Sequence, residues 1–256
     1  MKHLLPAAII AMTTTLISPE AKAADDTRLY EMRIYYAHEG KLDDLNARFR
    51  DHTCKLFEKH GMQNIGYWVP LENPDGKLVY ILAYPDKAAR DASWKGFMGD
   101  PDWQAAYKKS HENGPLVKKV EAHFMKATEY SPAIKAAIAN PERTFELRTY
   151  TTTDGNLGRL DARFRDHTIK LFSKHGMSHF GYWHLTADQK DADKTLVYLL
   201  EHKSKEAAAE SFGGFRNDPA WKEAREASEK AAGGSLTVPG GVKSEFLKPT
   251  DYSQTK

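Results

Sequence analysis

Two runs of sixteen residues concentrate the groups in this chain that could handle protons or anions. Ala47–Met62 reads ARFRDHTCKLFEKHGM and Ala162–Met177 reads ARFRDHTIKLFSKHGM, identical at fourteen positions. Each run carries two arginines (Arg48 and Arg50, Arg163 and Arg165) and two histidines (His52 and His60, His167 and His175), with Arg48 and Arg163 flanking the buried stripe. An imidazole half-buried beside apolar groups titrates near neutral pH, shuttles protons and ligates metals. A guanidinium beside it orients an anion. The same residues also have a structural use. A core histidine can bond a sheet or a helix end, and Arg48 can pair with Asp44 one turn back, an interaction of about 0.3–0.5 kcal/mol when exposed.

A shared metal is not expected. His52 and His60 are eight residues apart, about 12 Å along a helix axis and beyond one coordination sphere. No H-E-x-x-H pattern, Walker loop, dinucleotide glycine fingerprint or Ser-His-Asp order occurs. Cys54 is the one cysteine, which excludes an intrachain disulfide framework and a cysteine-based zinc site. The cofactor is left unassigned, with haem on an axial histidine as one alternative.

These groups need elements to hold them. On a regular helical wheel Leu45, Phe49, His52, Leu56 and His60 share one stripe, and Cys54 falls on the opposite side. Ahead of that helix, residues 29–36 alternate as a strand, Tyr30, Met32 and Ile34 on one face, Glu31, Arg33 and Tyr35 on the other. Strands follow near 64–70 and 78–84, then a helix capped by Asp86 and a short helix opened by Asp100-Pro101. A last strand lies near 120–126. The order is β-α-β-β-α-β, the ferredoxin-like unit. The second half of the chain repeats it, at an offset that grows from 115 to 122 as loops lengthen.

The expected fold is therefore α+β, with two ferredoxin-like modules packed sheet to sheet inside one chain. The expected division is 24–131 for the first module, 132–143 for the linker and 144–256 for the second. If the charged strand face meets the other module, Glu31, Arg33, Glu146 and Arg148 form a clasp between them, or else the polar floor of a pocket. Tyr67-Trp68 and Tyr182-Trp183 put aromatics on opposite faces of a strand, one in the core and one free to stack on a planar ligand.

Composition and leader narrow the function. With 256 residues, 41% of them hydrophobic, the chain can build a sizeable core. Lys plus Arg at 37 nearly balances Asp plus Glu at 35, which argues against a nucleic-acid binder. Lys2, the apolar run Leu4–Ile17 and Ala21-Lys22-Ala23 read as a signal peptide over residues 1–23. The run is short for a membrane span, so the mature protein is expected to be exported, periplasmic or secreted, without a stable span.

RFRDHTCKLFEKHGM, followed by Gly66-Tyr67-Trp68, LVYILAYP and Asp100-Pro-x-Trp103, resembles the NIPSNAP domain, and both halves carry it. The resemblance implies a dimeric α+β barrel, here made within one chain, and a family activity that is poorly defined. Wider members of that barrel fold include haem-degrading enzymes, small monooxygenases and chlorite dismutases, but fold alone transfers no reaction. The second half departs at 186–194, at Glu201-His202 and at Gly233–Gly241, so a pocket can be intact in one half only. The expectation is a small molecule held between helix and sheet, with catalysis left open. Candidate contacts are Arg48, His52, His60, Tyr67 and Trp68, and their counterparts Arg163, His167, His175, Tyr182 and Trp183. A non-catalytic protein–protein interaction module and a haem or metal binder are the alternatives. Cys54 and Ile169 on an outer face suggest self-association into a homo-oligomer.

Overall fold

A computed structural model describes residues 26–139 and 142–256; the signal peptide expected over 1–23 and two residues of the expected linker lie outside them. The first half runs β1 (Leu29–Ala37), α1 (Leu42–Arg48), α2 (Cys54–Lys59), β2 (Gln63–Pro70), β3 (Lys77–Tyr84), α3 (Lys87–Gly99), α4 (Pro101–Ser110) and β4 (Val117–Ala127). The second half runs β5 (Thr144–Thr152), α5 (Leu157–Arg163), α6 (Ile169–Lys174), β6 (Ser178–Leu185), β7 (Thr195–His202), α7 (Lys205–Asn217), α8 (Pro219–Ala232) and β8 (Thr237–Pro249). The caps expected from sequence are present. Asp86 Oδ1 accepts from the Ala89 N–H at 2.8 Å, and Asp100 Oδ1 from the Asp102 N–H at 2.8 Å, with Pro101 just inside the helix.

All eight strands close into one antiparallel barrel, in the order β1-β3-β2-β8-β5-β7-β6-β4. Its interior is apolar and drawn from both halves: Tyr30, Met32, Trp68, Val79 and Ile81 meet Phe145, Leu147, Trp183, Val197 and Leu199. The helices cover the outside. Two short seams join the halves edge to edge, Trp68↔Pro249 to Pro70↔Leu247 and Met125↔Leu185 to Ala127↔Trp183. Closure leaves none of the eight described strands with an unpaired edge. Gly66 is required at the irregularity where β2 pairs with β3, since a Cβ there would sit 2.4 Å from the Trp68 ring.

The regular wheel fails in the middle of the first long helix. Phe49–Thr53 is a π-helical turn between α1 and α2, where the Cys54 N–H donates to the Phe49 carbonyl and Thr53 Oγ1 donates to the Arg48 carbonyl at 3.2 Å. The extra residue rotates everything beyond it by about 100°. His52 is thereby exposed and Cys54 buried, the reverse of the expected stripe. Burial pushes the Cys54 thiol up to about 12. The turn recurs at Phe164–Thr168, and His167 is exposed with it.

The expected clasp of Glu31, Arg33, Glu146 and Arg148 is also corrected. Tyr30 and Met32 fill the barrel, so the alternate residues of β1 point outward under the helices of their own half. Glu31 pairs with Arg33 and Arg90, and Glu146 with Arg148 and His202, each within one half. What ties the halves is an exchange of tails. After β4, Tyr130 reaches α5, its hydroxyl 2.6 Å from Asp161 Oδ1, and Ser131 Oγ accepts from the Tyr182 N–H at 3.1 Å. After β8, Tyr252 reaches α1, its hydroxyl 2.8 Å from Asn46 Oδ1, and Ser253 Oγ accepts from the Tyr67 N–H at 2.9 Å. Arg50–Asp251 and Arg165–Glu129 ion pairs, both at 2.6 Å, complete the exchange on the surface.

Candidate functional site

Arg48 at the end of α1, with Phe49 and Thr53 of the π-turn, faces inward against the outer face of β1 and β4. Between them and α3 and α4 lies a cavity of about 330 Å³. Arg33 and Tyr35 form its floor, and Trp94, Trp103, Tyr107 and His111 its walls. Trp103, Tyr107 and His111 follow at intervals of four along α4 and its cap, which puts them on one face. The Tyr107 and His111 ring centres are 4.0 Å apart. Met98, Tyr107 and Val120 are large apolar residues left exposed, and all three line this cavity. They make an apolar rim where water contact is unfavourable.

The electrostatics are cationic. Arg33 lies over Trp94, with its guanidinium carbon 4.5 Å from the ring centre, and bonds Glu31 Oε1 at 2.5 Å. Glu31 is shared with Arg90, whose Nε and Nη2 each donate to it at 2.9 Å. Arg48 is only 6% exposed; it lies over Trp103 and Tyr107 and donates to Ser110 Oγ at 3.2 Å. Among the described residues no carboxylate stands within ion-pair distance of Arg48, and its buried Nε–H has no acceptor. Burial pulls the Arg48 guanidinium below its usual pKa, and it still keeps its charge at neutral pH. The arrangement can hold a flat apolar body between aromatic rings and orient one end of it with a buried cation.

A larger cavity of about 810 Å³ opens at one mouth of the barrel, between Met32, Ile34, Leu147 and Leu185. Its rim carries two ion pairs, Lys77 with Glu245 at 2.9 Å and Glu121 with Lys119 at 2.6 Å, beside the exposed Lys190 and Lys243. No charge there is buried without a partner among the described residues, so the smaller cavity is the better candidate.

Of the sequence candidates, Arg48 reaches the pocket and Arg33, expected as a clasp or a pocket floor, forms its floor; the others do not line it. His52 and His167 are exposed on the far side of the π-turns. His60 Nε2 lies 2.6 Å from Asp100 Oδ2, and His175 Nε2 lies 2.8 Å from Asp218 Oδ2, so both rings tie a helix end to the cap of the next helix. Gly96 and Gly214 make room for them, since a Cβ would come within 2.8 and 2.7 Å of the ring nitrogens. Lys59 and His60 hold the Asp100 carboxyl well below the usual range. Tyr67 and Tyr182 are buried under the helices, and Trp68 and Trp183 inside the barrel. Arg163 is the matching arginine of the second half, at 7% exposure. Among the described residues no three His, Cys, Asp or Glu side chains group to hold a metal ion, and no helix is long and apolar enough to cross a membrane. Reasoning from sequence missed Trp94, Trp103, Tyr107 and His111 as pocket residues. The available signal was negative: Tyr107 and His111 stand where the second half has Arg225 and Glu229.

The NIPSNAP family model matches the chain twice, over residues 30–132 and 145–254. No curated protein matches it. Among solved structures, a putative monooxygenase from Fusobacterium nucleatum has a TM-score of 0.56 at 12% identity, over 90% of this chain and 94% of its own. A putative monooxygenase from Lactobacillus acidophilus has a TM-score of 0.53 at 11% identity, over 87% of this chain and 94% of its own. A NIPSNAP-like domain protein from Burkholderia xenovorans matches 41% of this chain and 89% of its own at 20% identity, with a TM-score of 0.38. The two longer matches show a shared α+β barrel fold.

Proposed function

Because the chain belongs to the NIPSNAP family, we propose that it is a small-molecule-binding protein whose ligand, planar and largely apolar, sits between α4 and the sheet of the first half. The observation that carries this reading is the aromatic-walled cavity of about 330 Å³ with the buried, unneutralised Arg48 aimed into it. A cavity of that size is within the range that holds small ligands. The test is a titration of the full chain with two probes, 2-naphthoate and 2-naphthol, followed by quenching of its tryptophan emission. At least one of them is expected to bind saturably, once per chain, and Tyr107→Ala to weaken that binding about tenfold. Saturable binding by neither probe overturns the reading.

The proposal includes the domain plan and the address. Two modules, 24–131 and 144–256, joined by 132–143, form one barrel within one chain. The repeated element order and the two matching segments support this. A protease site cut between Lys135 and Ala136 should leave the fragments associated in native gel filtration; separation would refute the plan. Residues 1–23 support export to the periplasm or beyond. The mature protein is expected to begin at Ala24, and an exported product that retains Met1 would contradict a cleaved signal.

A further inference from the structure

The two halves share a floor and differ in what closes it. Arg48 and Arg163 hold matching places. Each donates from Nη1 to a serine, Ser110 at 3.2 Å and Ser228 at 3.3 Å, and each lies over a tryptophan, Trp103 at 5.3 Å and Trp221 at 5.2 Å. The next turns of α4 and α8 diverge. Where the first half has Tyr107 and His111, the second has Arg225 and Glu229. Arg225 Nε donates to Glu229 Oε1 at 3.0 Å, and that same oxygen stands 4.0 Å from Arg163 Nη1. A carboxylate thus stands across from Nη1 of the buried guanidinium in the second half, while its Nε–H, like that of Arg48, has no acceptor. In the first, His111 is turned back to the Tyr107 carbonyl at 2.8 Å, and nothing anionic among the described residues takes that place.

Resting on the pocket reading above, we propose that the first-half ligand is an aromatic monocarboxylate whose carboxylate meets Arg48 as Glu229 meets Arg163, and that the second half is a closed copy of the same site, filled by its own Glu229. One negative charge is what the cavity lacks. The other floor cation, Arg33, has the Glu31 carboxylate at 2.5 Å, shared with Arg90, whereas Arg48 is the lining guanidinium with no carboxylate in ion-pair distance among the described residues. The aromatic body follows from Trp94, Trp103 and Tyr107 on the walls and from the apolar rim. In the second half Phe212 replaces Trp94, and Arg216 and Arg225 replace Met98 and Tyr107, so the Tyr107 wall and two of the three apolar rim residues are lost, while Trp221 and Val242 keep the places of Trp103 and Val120.

The experiment uses 2-naphthoate and 2-naphthol on the full chain and on three variants, with calorimetric stoichiometry, far-ultraviolet circular dichroism and melting temperature read together. The native chain is expected to bind one naphthoate, at least tenfold more tightly than naphthol. Arg48→Met should erase that preference. Arg225→Tyr with Glu229→His should raise the stoichiometry to two. Tyr107→Arg with His111→Glu should lower it to zero, with the dichroism unchanged and the melting temperature equal or higher. Equal binding of the two probes by the native chain overturns the carboxylate assignment and leaves the pocket standing. Binding of neither overturns both. A folded Arg225→Tyr/Glu229→His variant that still binds one equivalent overturns the closed copy. If that variant does not fold, naphthoate binding that survives Tyr107→Arg/His111→Glu overturns it instead.

Discussion

Glu31→Gln is expected to lower folding stability by about 3–5 kcal/mol, because it leaves buried arginines without their counter-charge. The Glu31 carboxylate is fully buried and accepts from five donors: Arg33 Nη1 at 2.5 Å, Arg90 Nε and Nη2 at 2.9 Å, the Tyr84 hydroxyl at 3.1 Å and Trp94 Nε1 at 3.2 Å. Burial works to raise its pKa, and the hydrogen bonds from Arg90 and the charge of Arg33 outweigh it and hold it below the usual value. Glutamine keeps the shape, but its amide donors face donors. The sign of the pH dependence follows. A depressed carboxyl contributes stability above its unfolded pKa, about 4.3, and loses it as pH falls through the folded value. The gap between the native chain and Glu31→Gln should therefore narrow in acid. Urea denaturation at neutral pH and in acid measures both effects, and a loss under about 1 kcal/mol at neutral pH would contradict the pairing. Glu146→Gln should be milder, since Ala208 stands where the first half has Arg90 and the partners are Arg148, His202 and Ser244.

Truncation after Pro249 is expected to unfold the wrong half of the protein, in sequence terms. Residues 250–256 belong to the second half of the chain but pack on the first. Tyr252 stacks on Phe49 with ring centres 6.5 Å apart and bonds Asn46. Thr255 Oγ1 donates to the Ile65 carbonyl at 2.5 Å, and Ser253 and Thr255 are 4% and 1% exposed. Removing the tail exposes the helix seat of Phe49 and orphans the Tyr67 N–H and the Ile65 carbonyl, a loss of roughly 3–5 kcal/mol for the aromatic ring alone. Hydrogen exchange should rise over residues 42–70 while residues 157–185 stay protected. The reverse pattern, or no change over 42–70, would mean that the exchanged tail carries little of the packing.

Strand faces were legible in the sequence because a period of two is a local property: Tyr30, Met32 and Ile34 alternate with Glu31, Arg33 and Tyr35, and the alternation survives in the fold. Which face the other half would cover was not legible. Both faces of β1 carry large side chains, and the choice depends on strands more than a hundred residues away. The π-turn was invisible for a different reason. Its geometry comes from how Arg48, Phe49 and Thr53 seat against the sheet, and no residue type announces it. Hence His52 and Cys54 exchanged places. The near-identity of the two runs drew attention to what the halves share, and most of what they share is scaffold: His60 on Asp100, His175 on Asp218. The candidate pocket lies where they differ, at Tyr107 and His111 against Arg225 and Glu229, and only the matched positions of Arg48 and Arg163 give that difference a chemical meaning.

The seams carry a consequence for behaviour at high concentration. Each joins the halves through three residue pairs, whereas β1 and β3 within one half share eight. Parting the barrel at its seams breaks few strand pairs but uncovers the shared apolar interior and frees both exchanged tails, and the near-copy nature of the halves gives a neighbouring molecule the same edges, interior face and tail to offer. Two chains that trade halves across Ser131–Arg143 would rebuild two closed barrels with every seam contact remade, a low-cost route to swapped dimers.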